Sequence, residues 1–376
     1  MANRTRVKKP AAPKRAAASS GELGETLKHV NKRFGEGSVR RANQILQPDR
    51  ISTGSFMLDF SLLGGIPTSR VTMAVGERHA GKSTLSNKVI AQAQKQFPGQ
   101  TPIVIDIEGT FESNWARQLG VDIENLPIVP CETGEMAVDV ADAVITSEET
   151  SLVIIDSLAA MAPMKELDAS AEDNFVGLQS RLIGNMVRRV NAALIGERKR
   201  GHNVTVLFLN QFRSKIGISH GDPRSIPGGK AVEFCTSVQV IIKNKENKGK
   251  DSRGIEGVLH NDHSYTITKN KLNQGPRTGE FALCRVPNEE LGLDVGDIDD
   301  AGTMLSFAKK FGAYGGGGTK WKLEYDNYSY VFRNAKEGMI AMYEDPAIYL
   351  SLRNWLIREQ AKHLGMPKSF LDTFKV

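Results

Sequence analysis

The chain has 376 residues, 40% hydrophobic and 24% charged, a composition typical of a soluble globular protein with room for one α/β domain and smaller appendages. It contains no apolar run near the roughly 18 residues of a membrane span and no apolar signal-peptide core at its start, so we expect a cytoplasmic protein without a membrane partner. Its cysteines, Cys131, Cys235 and Cys284, are too far apart for a zinc site or a disulfide framework, and buried reduced thiols are expected.

The formal net charge of +6 is concentrated at the start of the chain. Residues 1–20 hold six basic residues and no acidic one, so the other 43 basic residues balance the 43 acidic ones. Because this segment is also rich in Ala and Pro, we predict a disordered basic tail. Such a tail can hold a polyanion electrostatically, and a solubilising extension is the alternative.

A short amphipathic helix is predicted next, over residues 21–34. Its apolar residues recur at helical spacing and form one stripe, which consists of Leu23, Leu27, Val30 and Phe34. Gly35 and Gly37 then end the helix. A helix placed ahead of a domain must pack such a stripe on something, either on the chain's own core or on a neighbouring subunit.

A turn at residues 76–84 fits the pattern G-x-x-x-x-G-K-[ST], which wraps backbone N–H groups around the phosphates of a nucleoside triphosphate. Its lysine supplies a positive charge to the β and γ oxygens, and its serine supplies a hydroxyl to Mg²⁺. A strand is predicted at 70–75 and a helix at 84–96, which a chance match in a surface loop would lack. We therefore predict that the whole turn binds nucleotide, namely Gly76, Glu77, Arg78, His79, Ala80, Gly81, Lys82, Ser83 and Thr84.

Three more strands are predicted to end in polar residues, at 102–108, 151–157 and 203–209. The first delivers Glu108, which is well placed beside a phosphate loop to orient an attacking water, whereas Glu112 is interpreted as a solvated loop acid. The second matches the Walker B pattern, in which Asp156 holds Mg²⁺ directly or through water. The third leads to Gln211, an amide that could sense the γ-phosphate.

Two segments without regular structure are predicted at 165–174 and 212–229, and segments of this kind inside a domain are usually functional loops. Between them lies a long helix on which Arg181 and Arg188 are seven residues apart and so share one face. A basic helix face and a basic loop are together suited to a polyanion.

Later strands are predicted at 236–243 and 264–271, joined by a charged hairpin over 244–254. His260 and His263 then fall in a loop before the second strand. We interpret them as solvent-facing residues rather than as metal ligands, because isolated histidines three residues apart in a loop seldom converge on a metal.

Together, these features resemble the RecA-type homologous recombinases, bacterial and phage. The match runs in register from about residue 21 to residue 274, and more loosely to about residue 365. Besides the phosphate loop, the matching stretches are residues 34–38, 51–55, 116–122, 210–217 and 269–271. The resemblance implies an α/β fold with a RecA-like P-loop NTPase core, a mostly parallel central sheet, an N-terminal polymerisation helix and a small α/β C-terminal domain.

The resemblance and a change of composition after residue 286 divide the chain into four predicted parts. These are the disordered basic tail at 1–20, an N-terminal helix and linker for filament assembly at 21–50, the ATPase core at 51–285, and a small C-terminal DNA-handling domain at 286–376.

The resemblance also implies roles for individual residues. Trp115 stacks on adenine, and Ser83 and Asp156 hold Mg²⁺. Lys269 and Lys271, which alternate along one strand and so point from one face, reach the ATP of the neighbouring subunit. The implied catalytic set is Glu108, Lys82, Gln211, Lys269 and Lys271, with Glu108 activating water and Gln211 coupling the γ-phosphate to DNA-binding loop 2.

Two DNA-binding loops follow from the same comparison, loop 1 at about 166–175 and loop 2 at about 212–227. Loop 2 carries Ser219 and His220 where relatives have bulky apolar residues, so a neighbouring isoleucine is expected to wedge between bases. The DNA-binding residues implied are Arg181, Arg188, Arg213, Lys215, Ile216, Ile218, Gly228 and Gly229.

The expected function is that of an ATP-dependent recombinase that forms a helical filament on single-stranded DNA and exchanges strands with a homologous duplex. ATP and Mg²⁺ are the implied cofactors, and single-strand-binding and mediator proteins are further implied partners. The site of action would be the nucleoid, or the host cytoplasm for a phage protein. A hexameric RecA-fold helicase and a DNA-coating mediator with a purely regulatory nucleotide site remain as alternatives.

Overall fold

A computed structural model of the chain describes residues 21–35, 37–42, 47–169, 177–214 and 224–374. The tail predicted at 1–20 lies outside these residues. Contacts divide the chain into two units, Met1–Gln47 and Pro48–Val376. In the first unit, α1 (Glu22–Phe34) is the predicted helix. Within the described residues none of this helix is buried, and Leu23 and Phe34 are 63% and 61% exposed.

The second unit is built on a nine-stranded sheet within the described residues. The strands of this unit are β1 (Arg50–Ile51), β2 (Ile66–Pro67), β3 (Val71–Gly76), β4 (Thr101–Asp106), β5 (Ile128–Pro130), β6 (Thr150–Asp156), β7 (Thr205–Gln211), β8 (Arg213–Ser214), β9 (Arg224–Ser225), β10 (Val238–Lys250), β11 (Glu256–Asn270), β12 (Thr278–Cys284), β13 (Ile298–Asp299), β14 (Tyr314–Gly317), β15 (Lys320–Tyr325) and β16 (Tyr328–Phe332). The order in the large sheet is β13-β12-β11-β10-β3-β7-β6-β4-β5. Its pairs from β10 to β5 are parallel and those from β10 to β13 are antiparallel, which confirms the predicted α/β class with a mostly parallel sheet.

Helices cover both faces of this sheet. The helices of this unit in the described residues are α2 (Phe56–Leu62), α3 (Lys82–Gln96), α4 (Ser113–Gln118), α5 (Gly134–Ile145), α6 (Met164–Leu167), α7 (Leu178–Arg200), α8 (Gly229–Cys235), α9 (Ala301–Lys310), α10 (Ala335–Glu344), α11 (Pro346–His363) and α12 (Lys368–Leu371). One buried cluster joins α3 to one face of the sheet, and a second joins α5 and α7 to the other. Burial on both faces explains the near-continuous apolar runs of the parallel strands. No helix in the described ranges is both long and apolar enough to cross a membrane.

The parallel strands bring their carboxyl ends to one edge of the sheet, as the sequence predicted. In the observed register, Gly76 at the end of β3 pairs with Gln211 at the end of β7, and Asp106 pairs with Asp156. The phosphate loop therefore starts beside the acidic and amide side chains that the neighbouring strands deliver.

The β10–β11 pair is longer than predicted. Its register runs from Val238 opposite Asn270 to Lys250 opposite Glu256, so most of the segment expected to be a charged hairpin is strand. Charged side chains on a solvated ladder cost little, while pairing satisfies the backbone N–H and C=O groups. The expectation that His260 and His263 lie in a loop is wrong, because both lie in β11. The expectation of a solvent-facing side chain is wrong for His263, which is 1% exposed, whereas His260 is part-exposed.

A third buried cluster occupies the C-terminal part of this unit, where α9, α11 and β15 pack with Phe56 and Phe60 of α2. Buried Asp300 accepts a hydrogen bond from the backbone N–H of Phe56 at 2.5 Å. The large sheet itself continues to β13 at Ile298–Asp299. The predicted boundary between residues 285 and 286 stays a prediction. The cysteines are unpaired; Cys131 and Cys284 are buried, and Cys235 is half-buried.

Candidate nucleotide and DNA site

The phosphate loop connects β3 to α3, and the helix begins at Lys82 itself. Gly81 precedes it with φ 94°, a left-handed conformation that glycine adopts without strain. The Lys82 amine donates to the carbonyls of Glu77 at 2.8 Å and Gly76 at 3.3 Å. Burial lowers the pKa of Lys82, and nearby carboxylates oppose that shift. The loop thus presents an ammonium group at the N-terminus of a helix, where the free N–H groups favour an anion.

Three carboxylates gather at the ends of β4 and β6. Burial raises the pKa of Asp156 to about 7, and the neighbouring Glu108 and Asp106 raise it in the same direction. The Ser83 hydroxyl donates to Asp156 Oδ2 at 3.3 Å. Repulsion among these carboxylates would be relieved by a divalent cation, and hydroxyl and carboxylate oxygens are ligands that Mg²⁺ accepts. The donor set therefore fits Mg²⁺. Among the described residues no group of three His, Cys, Asp or Glu side chains could hold a metal, so phosphate oxygens and water would have to supply the remaining ligands.

One carboxylate oxygen of Glu108 accepts hydrogen bonds from two side chains. Gln211 Nε2 donates to Glu108 Oε1 at 2.7 Å, and the Ser157 hydroxyl donates to the same oxygen. Asp106 shapes the loop that carries Glu108, because its carboxylate accepts the Gly109 N–H at 2.8 Å. The sequence predicted Glu108 and Gln211 as neighbours but missed Ser157, although its position directly after the Walker B acid was a usable signal.

Trp115 lies in α4, next to the first turn of α3. Its Nε1–H donates to Thr84 Oγ1 at 3.2 Å, and the guanidinium of Arg285 lies 4.5 Å from its ring centroid. Arg285 was not predicted, because no motif marks the end of β12. Glu112 is exposed, as expected, and its carboxylate also caps α4 by accepting the Asn114 N–H at 3.0 Å.

The DNA-binding candidates fall partly outside the described residues, as Lys215, Ile216, Ile218 and most of both loops do. Arg181 and Arg188 are exposed on α7. Gly228 has φ 93° and directly precedes α8, whose first residue is Gly229. Arg213 lies two residues beyond Gln211, and its exposed side chain donates to Gln179 Oε1 and to the Ala159 carbonyl, both at 2.8 Å.

Lys269 and Lys271 both contact the C-terminal end of α8. The Lys269 amine donates to the Glu233 carbonyl, and the Lys271 amine donates to the Phe234 carbonyl at 2.6 Å. Burial lowers the pKa of Lys269, and the charge of Lys271 lowers it further. The two side chains therefore point the same way, as their alternation predicted.

Comparison with known proteins agrees with this geometry. A family model described as the RecA N-terminal domain matches residues 21–286. The Protein RecA of Wolbachia sp. subsp. Brugia malayi is 35% identical over 295 residues, which cover 78% of this chain and 79% of that protein. The Protein RecA of Chlorobaculum tepidum is 34% identical over 303 residues, 80% of this chain and 84% of that protein. The Protein RecA of Methylococcus capsulatus is 35% identical over 301 residues, which cover 78% of this chain and 83% of that protein. The chain therefore belongs to the RecA family and is a homologous recombinase, a DNA-dependent ATPase that catalyses strand exchange.

Proposed function

We propose that this recombinase uses Mg²⁺–ATP, bound between neighbouring protomers, as the switch that makes its loops grip single-stranded DNA. The observation that carries this proposal is the 2.7 Å hydrogen bond from Gln211 to Glu108. It joins the carboxylate beside the phosphate loop to the residue from which loop 2 departs. A change at the γ-phosphate that moves Glu108 would therefore be felt at loop 2 through one side-chain contact.

The hydrolysis step follows from the same residues. Glu108 orients the attacking water and accepts its proton, while Ser157 and Gln211 fix the carboxylate. Lys82 stabilises the charge that develops on the transferred phosphoryl group. Bound Mg²⁺ would neutralise charge on the β and γ oxygens, with Ser83 and Asp156 as its protein ligands. Loss of the γ-phosphate then removes the group that Gln211 senses, and the loops release DNA.

Among the described residues, Arg213 is the best placed to link this switch to DNA, because its positive charge lies two residues beyond Gln211 and can contact a backbone phosphate. Its present partners, Gln179 and the Ala159 carbonyl, are neutral, so its positive charge stays available to a phosphate. Arg213→Ala should weaken single-stranded DNA binding for every sequence and reduce the slope of log K against log salt by about 0.7.

Arg189→Ala is the matched control in these salt titrations. Like Arg213, Arg189 is an exposed arginine. It lies on α7, and its guanidinium is neutralised by Asp139 and Asp142. We expect its slope to equal that of the wild type. An unchanged slope for Arg213→Ala would remove Arg213 from the DNA interface.

The interface between protomers is assigned to α1 and to the two lysines of the β11 end. α1 exposes an apolar stripe, which water disfavours, and Lys269 and Lys271 supply two ammonium groups suited to a neighbour's triphosphate. Negative-stain electron microscopy with long single-stranded DNA, Mg²⁺ and a non-hydrolysable ATP analogue tests this assembly. Regular open helices that vanish without the nucleotide are expected, whereas closed rings or unordered coating would contradict the proposal.

A further inference from the structure

The phosphate loop rests on the β10–β11 pair. A Cβ atom on Gly76 would lie 2.7 Å from the Ile242 carbonyl oxygen of β10. A Cβ atom on Gly81 would lie 2.6 Å from Nδ1 of His263 in β11. Both distances are shorter than real Cβ contacts, so the two fixed glycines of the loop lie directly against these strands. The His263 ring fills the space beneath Gly81.

His263 is an unusual side chain for this place. It is 1% exposed, and its ring centroid lies 5.1 Å from that of Phe281. In the part of the chain that the structure describes, neither ring nitrogen has a hydrogen-bond partner of normal geometry. Burial lowers the pKa of His263 to about 4, with the Ala80 backbone opposing the shift, so the imidazole is neutral at pH 7. Buried polar groups without partners are rare and call for an explanation.

The residue opposite His263 also contacts the loop. Asn244 is its register partner on β10, and the Asn244 side-chain amide donates to the His79 carbonyl at 3.3 Å. His79 has φ 58°, which is uncommon for a residue other than glycine. One cross-strand pair therefore holds the loop at His79 and again at Gly81.

We propose that His263 is a positioning residue for nucleotide binding, acting by its volume. Its ring keeps the Gly81 backbone raised, so that the N–H groups at the start of α3 stay directed at the triphosphate. The inference rests on the proposed nucleotide site. It adds that β11, which is distant in the sequence, supports the phosphate loop through His263. A smaller side chain at this position would leave a void into which the loop relaxes, and loss of preorganisation appears as weaker binding.

The first test compares His263→Ala with His263→Leu, which has a similar volume and no polar atom. Equilibrium titration with a fluorescent non-hydrolysable ATP analogue should give a Kd raised about tenfold for the alanine variant. The leucine variant should restore most of that affinity. The KM for ATP of His263→Ala should rise by a similar factor, and its kcat at saturating ATP should fall by a smaller factor, because the side chains that act on the phosphoryl transfer are themselves unchanged.

His260→Ala is the control, since His260 lies on the same strand and is part-exposed; its Kd should not change. Melting temperatures are measured for every variant. A lower melting temperature with an unchanged Kd for His263→Ala would reduce His263 to a packing residue and overturn the proposal. Failure of His263→Leu to restore binding, with a wild-type melting temperature, would overturn the volume argument.

A double-mutant cycle with Gly81→Ala sharpens the test. The backbone strain of alanine at φ 94° is the same in both backgrounds and cancels in the cycle. Contact between the new methyl group and the imidazole exists only when His263 is present. Gly81→Ala should therefore weaken nucleotide binding by a larger factor in the wild-type background than in His263→Ala, and equal factors would contradict direct contact. Lys82→Ala separates the two proposals. If the Kd of Lys82→Ala for the nucleotide equals that of the wild type, the proposed nucleotide site is wrong. If the Kd of Lys82→Ala is raised and that of His263→Ala is not, only the inference about His263 fails.

Discussion

Lys82→Ala is expected to lower kcat/KM for single-stranded-DNA-dependent ATP hydrolysis by about 10²–10³-fold. Lys82 is 7% exposed at the first residue of α3, and its amine is held by the carbonyls of Glu77 and Gly76. On the proposed assignment, alanine removes the ammonium group that stabilises charge on the β and γ oxygens. A phosphate-release assay at saturating DNA measures the effect.

Lys95→Ala is the control for this change. Lys95 is an exposed lysine in the last turn of the same helix, so it tests whether loss of any positive charge from α3 matters. We expect its kcat/KM to match the wild type. Near-normal turnover by Lys82→Ala would remove the phosphate loop from the mechanism.

Glu108→Gln should reduce kcat by about 10²–10⁴-fold while leaving nucleotide binding intact. The change keeps the shape of the side chain, and its amide oxygen can still accept hydrogen bonds from Ser157 and Gln211. It removes the basicity needed to take a proton from water. Because the nucleotide then persists, complexes with single-stranded DNA formed with ATP should last longer than those of the wild type.

Single-turnover hydrolysis and the DNA off-rate measure these two effects separately. Glu112→Gln is the matched control: Glu112 is exposed, four residues away, and caps α4 through a carboxylate oxygen that glutamine can replace. It should hydrolyse ATP at the wild-type rate. An unaltered kcat for Glu108→Gln would assign water activation to another group.

Much of this site could be predicted because its signals are local. The phosphate loop has a fixed spacing, and Asp156 and Gln211 each end a buried apolar run, so parallel strand order alone brings them to one edge. The apolar stripe of α1 could also be predicted, because its residues recur at helical spacing.

Contacts between distant segments left no such signal. Arg285 contacts the ring of Trp115, and no motif or periodicity in the sequence indicates that contact. The extended pairing of β10 with β11 runs through charged residues, which show no alternation of apolar and polar side chains from which strands could be predicted. Because of that pairing, His263 lies in a strand beneath Gly81 of the phosphate loop rather than in the loop that the sequence predicted.

The contacts of Lys269 and Lys271 with α8 have a consequence for filament ends. These two ammonium groups occupy the terminal carbonyls of a seven-residue helix whose other end adjoins loop 2. On the proposed assignment, a neighbour's triphosphate competes with those carbonyls for the same charges. The protomer at one end of a filament then keeps its lysines on its own helix, while the protomer at the other end holds ATP that no lysine covers. The two tips are chemically unlike, and subunit loss after hydrolysis should start at only one of them.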